Sequence, residues 1–558
     1  MKKIVTITLV LLALVGCKGN EEAPPEIPED LPKVDNPKEI QPEQPINQLL
    51  PSYTLNPILR TLNSQPVNRS EVFDVNFQQH VADEIDDILS HEHRFDSPLL
   101  IMDPFHTNTL SLYVAFFLPI EANVSYSINT QHSEPLSHSL TILPNGEEGM
   151  RTDHQFSLMG LVPGTNNTVR IHLSDENGAH VSEVTFSLYV SDELLTGFPT
   201  HLDRDFGEAQ DRLSEGYTLL QGNNFVNNGF SFWLDNAGTV RGQVIGLSDM
   251  WSYIRRDGYA YYNPDNRRIV KQNLLTGQIE QSFEHSGFVQ HHDHQLLPNG
   301  NLIVLVSNED DSFVEDHIIE IDVSKNEVIK VMNLRDLLVD YPHSNNNNDW
   351  LHVNSLHYQP DDNGSLFISG REVSSIIKVA NYHSEPFVDW MINHQGRIWQ
   401  YSEHHNLLLQ ESGNTIATLG QHTVGVLPNN AKDDVNSGNY RLYSFNNMFA
   451  NNNGGSNGHP VDYSDIESEN SSYLSVYQID ETTRQYQQAL AIEVTPKSQI
   501  RSSAQFYASN YLIGSLNIGM NVATWYGRID EYTSDGRHVQ STHIPDASYR
   551  ATKFPTLQ

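Results

Sequence analysis

The chain of 558 residues holds a single cysteine, Cys17, so no disulfide can form within it. Basic residues are also few: 33 Lys and Arg stand against 70 Asp and Glu, a formal charge of −37. A protein that grips a polyanion needs a basic stripe, and none is visible, so nucleic acid is excluded as a partner. No Gly-Lys pair occurs, which removes a nucleotide-binding phosphate loop. Long amphipathic helical patterns are scarce, and hydrophobic residues make up only 38%. Asn, Ser, Gly and Pro fill the gap, the composition of a loop-rich, all-β protein. The acid excess speaks for a soluble surface and still permits a local positive pocket.

At the N-terminus, Lys2 and Lys3 precede an apolar run that ends at Gly16, too short to span a bilayer and suited to an export signal over residues 1–17. Leu14-Val15-Gly16-Cys17 resembles the bacterial lipobox, in which the cysteine is acylated and becomes the mature N-terminus. Lys18 stands where an inner-membrane retention signal would have Asp, which favours an outer-membrane lipoprotein by the same resemblance. Residues 18–60 are rich in Glu and Pro and are expected to form an extended tether. The N-terminal region, 61–194, carries short alternating runs from about 95 to 192, such as Leu110-Ser-Leu-Tyr-Val, which predict a small β-sandwich. Within it, Gly160-Leu-Val-Pro-Gly-Thr followed by Thr168-Val-Arg-Ile-His-Leu resembles the corner of a fibronectin type III module.

Over 195–558 a unit repeats. It is clearest at Leu297-Pro-Asn-Gly-Asn-Leu-Ile-Val-Leu-Val, where Asn-Gly supplies a tight hairpin and β-branched residues follow as strands. Related units begin near Tyr217, Trp251, Leu356, Val424 and Ala504, which predicts a six-bladed β-propeller. Comparable points of three successive units hold His292, His352 and His422, separated by 60 and 70 residues. If the units are blades, these imidazoles converge near one axis. Arg371, one hairpin after His352, can join them and offers a planar fork suited to a sulfate-like oxyanion.

Asp349-Trp-Leu-His-Val-Asn-Ser, Leu366-Phe-Ile-Ser-Gly-Arg371, Gln421-His-Thr, the His292 segment and Tyr549-Arg550-Ala551 together resemble, in order and spacing, the bacterial aryl sulfate sulfotransferases that use no nucleotide donor. The resemblance implies that His422 takes up the sulfuryl group, while His292, His352 and Arg371 hold the sulfate and move protons. It implies aryl sulfates and phenols as substrates, no cofactor, and a periplasmic or surface location; a homodimer is compatible with it. Some relatives carry a disulfide that this chain cannot form, and the segment between Arg371 and His422 is short for the family. Elementary chemistry agrees: a sulfuryl centre is negatively charged, so transfer calls for a neutral nucleophile and positive groups on its oxygens. His422, at a channel mouth, is expected to be open to solvent.

Three other readings follow from the residues. His291, His292, Asp293 and His294 are metal-ligand types, but adjacent strand residues point to opposite faces, which argues against a shared ion. A sulfatase would need a Cys or Ser heading a Pro and Arg motif, which is absent. A non-catalytic surface propeller that binds a sulfated ligand would keep affinity and lack turnover. Trp350 reads as packing with a stacking role open to it, and the Asn-rich stretches 345–348 and 451–453 read as solvated loops.

Overall fold

The computed structural model describes residues 51–558 other than 132, 223–229, 249, 340–347, 362, 429–432, 450–464, 466–469, 499, 519–525 and 546–547. The export signal, Cys17 and the tether up to residue 50 lie outside the described residues, as do most of the two Asn-rich stretches. Among the described residues no helix is long and apolar enough to cross a membrane.

Chain expected as tether is already paired at its far end. Tyr53–Thr54 runs parallel to the strand His180–Val190, and Leu59–Arg60 runs parallel to Leu99–Met102. A helix that the composition gave no reason to expect follows at Val75–Ile88, capped by Asp74, whose side chain accepts from the Asn76 amide. Its inward face is thin, only Gln78, Val81 and Ile85, which explains why no long periodic signal announces it. Buried Gln78 donates to the carbonyls of Val72 and Phe105 and accepts from the Ile279 amide, tying the helix to the propeller.

The small sandwich is organised by one long strand, Ser111–Asn129. Its first half pairs with Leu99–Met102 and Arg151–Met159; its second half pairs with Leu136–Ser139 and Thr165–Ser174. Between the halves the register breaks after Phe117, so one strand serves two sheets. The corner 160–164 connects those sheets, with Gly160 and Gly164 at φ 104° and 74°. Asn167 holds it by accepting from the Val162 amide and donating to the Val162 carbonyl.

The remainder is a six-bladed β-propeller. Blade 1 contains Tyr217–Gln221, Phe230–Leu234 and Val240–Ile245; blade 2 spans strands from Tyr253 to Glu284; blade 3, Phe288 to Asn333. Blade 4 runs from Val353 to Ile392, blade 5 is built on Gly425–Val426, Asn439–Asn446, Ser472–Asp480 and Gln485–Val494, and blade 6 runs from Ser503 to Ile544. The Asn-Gly hairpin of blade 3 forms as its sequence predicts, with Gly300 at φ 88° and the Leu297 amide bonded to the Asn301 carbonyl. Two strands close the ring from opposite ends of the chain. Arg550–Phe554 pairs with Tyr217–Gln221 as the first strand of blade 1, while Arg204–Phe206 adds an outer strand to blade 6. First strands touch between blades 3 and 4, 4 and 5, and 6 and 1, and the ring gathers residues at their leading ends around the axis.

Candidate active site

Each blade delivers one side chain at or just before the leading part of its first strand: Trp251, His292, His352, His422, Arg501 and Tyr549. The three histidines expected from the sequence are thus brought together. His292 and His352 have ring centroids 4.8 Å apart, and His422 lies within electrostatic reach of His292, His352 and Arg371. Trp251 stacks on His292 at 6.4 Å and 18°, and Tyr549 flanks it at 5.8 Å.

His292 reaches the site through a bulge. Register in blade 3 slips between Gln290 and His294, and His292 takes φ 54°, a left-handed conformation uncommon for a side-chain-bearing residue. This overturns the argument that neighbouring residues here must point apart. His291 and His292 meet, Nδ1 to Nδ1, at 2.9 Å. Asp293 and His294 do turn away: Asp293 accepts from Arg550 and the Leu356 amide, and His294 contacts Gln290 and the Tyr261 carbonyl. Donor atoms of His291, His292 and Glu315 fall within 4.8 Å of one another, as do those of Glu315, Asp349 and His352. These are donor types that a divalent cation accepts, but both carboxylates already engage His352.

His352 also has a left-handed backbone, φ 47°. Its Nδ1 sits 2.6 Å from Asp349 Oδ2 and 2.7 Å from Glu315 Oε2. Burial alone would push this imidazole down, yet the two carboxylates outweigh it and raise its pKa to about 9. On the other side, Arg371 donates to His352 Nε2 at 2.8 Å, and its amide bonds the His352 carbonyl across the mouth of the hairpin. These two facts conflict as they stand, because a charged imidazole would set an Nε2–H against a guanidinium N–H. An anion that accepts from both groups relieves this, and with one bound the two carboxylates keep His352 as the protonated imidazole. His292 differs: burial pulls its pKa well below 6.5, and its nearest Glu315 oxygen is 3.8 Å away, too far to restore a proton.

His422 is held by a triplet that divides its work. Gln421, fully buried, donates to the carbonyls of Gly370 and Ser375 in blade 4, and Thr423 accepts from the Ala504 amide in blade 6. His422 between them is only 3% exposed, against the expectation of an open mouth. Its Nδ1 lies 3.1 Å from Asn447 Oδ1, and the Arg501 amide donates to Nε2 at 3.2 Å. Burial, then Arg371 and His352, hold its pKa well below 6.5, so the ring is neutral near pH 7. The site therefore sets a neutral imidazole beside a guanidinium and an imidazole that two carboxylates favour in its charged form.

Residues 204–552 match Arylsulfotransferase (ASST), and residues 99–191 match the Arylsulfotransferase Ig-like domain. The chain belongs to the arylsulfotransferase family. It is accordingly a transferase of sulfuryl groups, with sulfate esters and phenols as its substrate class, and its N-terminal sandwich is the Ig-like domain of that family. No curated protein matches the chain. Among solved structures, a candidate 6-phosphogluconolactonase from Bacteroides fragilis is 10% identical, with TM-score 0.35 over 77% of this chain and 98% of its own. Hydrazine synthase from Kuenenia stuttgartiensis is 11% identical, with TM-score 0.28 over 50% of this chain and 60% of its own. At this level of similarity neither likeness bears on the argument.

Several residues of this arylsulfotransferase site escape a reading of the sequence. Glu315 and Asn447 sit in loops with no motif of their own, and Asp349, though it heads the His352 motif, carries no sign of its role there. Trp251 and Arg501 occupy the blade-leading position of units whose repeat is weak, and aligning all six units on that position would have found them. Trp350, the tryptophan singled out in sequence, is buried in the core between blades 3 and 4 and donates to Asp316.

Proposed function

We propose that the enzyme works by two sulfuryl transfers through His422. In the first, His422 attacks sulfur, an N–S bond forms and the S–O(aryl) bond breaks, while Arg371 and the His292 imidazole face the sulfuryl oxygens. The departing phenolate takes a proton from His352 Nε2. In the second, a phenol enters, returns its proton to His352 and attacks the same sulfur, and the N–S bond breaks to restore neutral His422. Glu315 and Asp349 stabilise the charged form of His352 before the first transfer and as it takes up the acceptor's proton in the second, and Trp251 and Tyr549 offer aromatic surface to the ring of donor or acceptor. One observation carries this reading: His422 is buried with only neutral groups on its ring nitrogens, while Nδ1 of His352, its near neighbour, lies within 2.7 Å of two carboxylates.

The assay that tests it is release of 4-nitrophenol from its sulfate ester. Sustained release should require added phenol and be matched by phenyl sulfate. Equal release without phenol would indicate hydrolysis, and no release with either would leave a binding protein.

Anchoring belongs to the same proposal. The lipobox resemblance at Cys17 supports an enzyme held outside the cytoplasm on a membrane, with 18–50 as spacer. Cys17→Ala should shift the protein from the membrane fraction to soluble or unprocessed forms; unchanged fractionation would end the anchor.

A further inference from the structure

The reaction as proposed needs one ring nitrogen of His422 bare, and imidazole has two. Which is bare depends on what the other bonds to. Asn447 lies just past the strand Asn439–Asn446, is fully buried, and places Oδ1 3.1 Å from His422 Nδ1. An amide can be turned so that either O or N faces a neighbour, so the contact alone does not fix the tautomer. The rest of Asn447's surroundings do. Its Nδ2 donates to the Ser498 carbonyl at 2.8 Å and to the Arg501 carbonyl at 3.1 Å, two acceptors that an amide oxygen could not satisfy. Oδ1 must therefore face His422, and it can only accept. Nδ1 carries the hydrogen and Nε2 is left with its lone pair, which the Arg501 amide meets at 3.2 Å.

We infer that Asn447 is a positioning residue that locks His422 in the Nδ1–H tautomer, making Nε2 the atom that takes the sulfuryl group. The inference rests on the His422 reading above. Being uncharged, Asn447 orients the ring without drawing a proton onto it, whereas a carboxylate at this place would favour the imidazolium and remove the nucleophile. When sulfur bonds to Nε2, the Nδ1–H bond to Asn447 persists and supports the positive charge that the ring then acquires. The lock also joins blades: Ser498 and Arg501, ahead of blade 6, are held by the same side chain that orients a residue of blade 5.

The test uses full-length enzyme labelled with ring-15N histidine, with the His422 signals identified by their loss in His422→Asn. In the resting wild type, long-range 1H–15N spectra should show Nδ1 protonated and Nε2 bare. After 4-nitrophenyl sulfate without acceptor, the sulfuryl group should sit on Nε2. Asn447→Ala should move the resting ring toward Nε2–H and slow the first half-reaction by roughly 10²-fold, less than the ~10⁴ lost when a catalytic imidazole is wholly in the wrong tautomer. An Nε2–H ring in the resting wild type overturns the proposal regardless of how any variant folds. So does a folded Asn447→Ala with unchanged tautomer and burst rate. The expected tautomer with no sulfuryl adduct would overturn it through the nucleophile reading on which it rests.

Discussion

The two sides of the pocket are built from different materials. On the side of blades 3 and 4, His352 is pressed between Glu315 and Asp349, and its pKa rises to about 9. On the side of blades 5 and 6, His422 meets a carboxamide and a backbone amide, has no carboxylate among its contacts in the described residues, and is held well below 6.5. Both rings are buried, and burial alone drives both downward. Carboxylates on His352, against the charges of Arg371 and His352 beside His422, separate them. One fold thus obtains an acid and a nucleophile from the same residue type by choosing the partner of Nδ1.

This comparison can be broken at several points. His422→Asn removes the nucleophile and should abolish turnover by ~10⁴-fold or more, as loss of a covalent catalyst does. Because His422 is buried and bonded, the substitution should also cost about 1–3 kcal/mol of stability, short of unfolding, as a thermal melt would show. Arg371→Lys keeps a charge but loses the planar fork between His352 and the sulfuryl oxygens, and should lower turnover by about 10-fold or more. Unchanged kinetics in a folded protein would make Arg371 a structural residue.

Two substitutions that exchange the materials should act mainly on the pH profile. Glu315→Gln removes one of the carboxylates that raise His352. The acid form is lost as pH rises through about 9 in the wild type, so the alkaline limb should move to lower pH in the variant. The shift should be plainest with phenyl sulfate, whose poor leaving group depends most on the acid. Asn447→Asp brings a carboxylate to His422, against the opposing charges of Arg371 and His352 that face it. Its pKa should rise, and the acidic limb, where the nucleophile is lost to protonation as pH falls, should move to higher pH. Profiles that superimpose on the wild type would mean that these partners do not set the proton positions.

Much of this was legible in the sequence, for identifiable reasons. Hairpins such as Leu297-Pro-Asn-Gly-Asn are local, and their repetition at blade-length intervals is enough to gather His292, His352 and His422 at one axis. Arg371 follows from its place across a hairpin from His352. The bulge at His291 and His292 was not legible, because it depends on slippage against the neighbouring strand Leu302–Asn308. Nor were the partners that set the chemistry: Glu315 and Asn447 are ordinary loop residues until the packing of other segments brings them to a ring nitrogen. Ring closure by Arg550–Phe554 and Arg204–Phe206 pairs residues more than 300 positions apart, beyond any local pattern.

The central claim is that sulfuryl passes through His422. Enzyme incubated with excess aryl sulfate and no acceptor should release about one phenol per site in a burst and then stall. Intact mass should show one added sulfuryl group, and peptides mapped at mildly alkaline pH should place it on the fragment containing His422. A sulfuryl group found on His292 or His352, or a full burst from His422→Asn, would contradict the account.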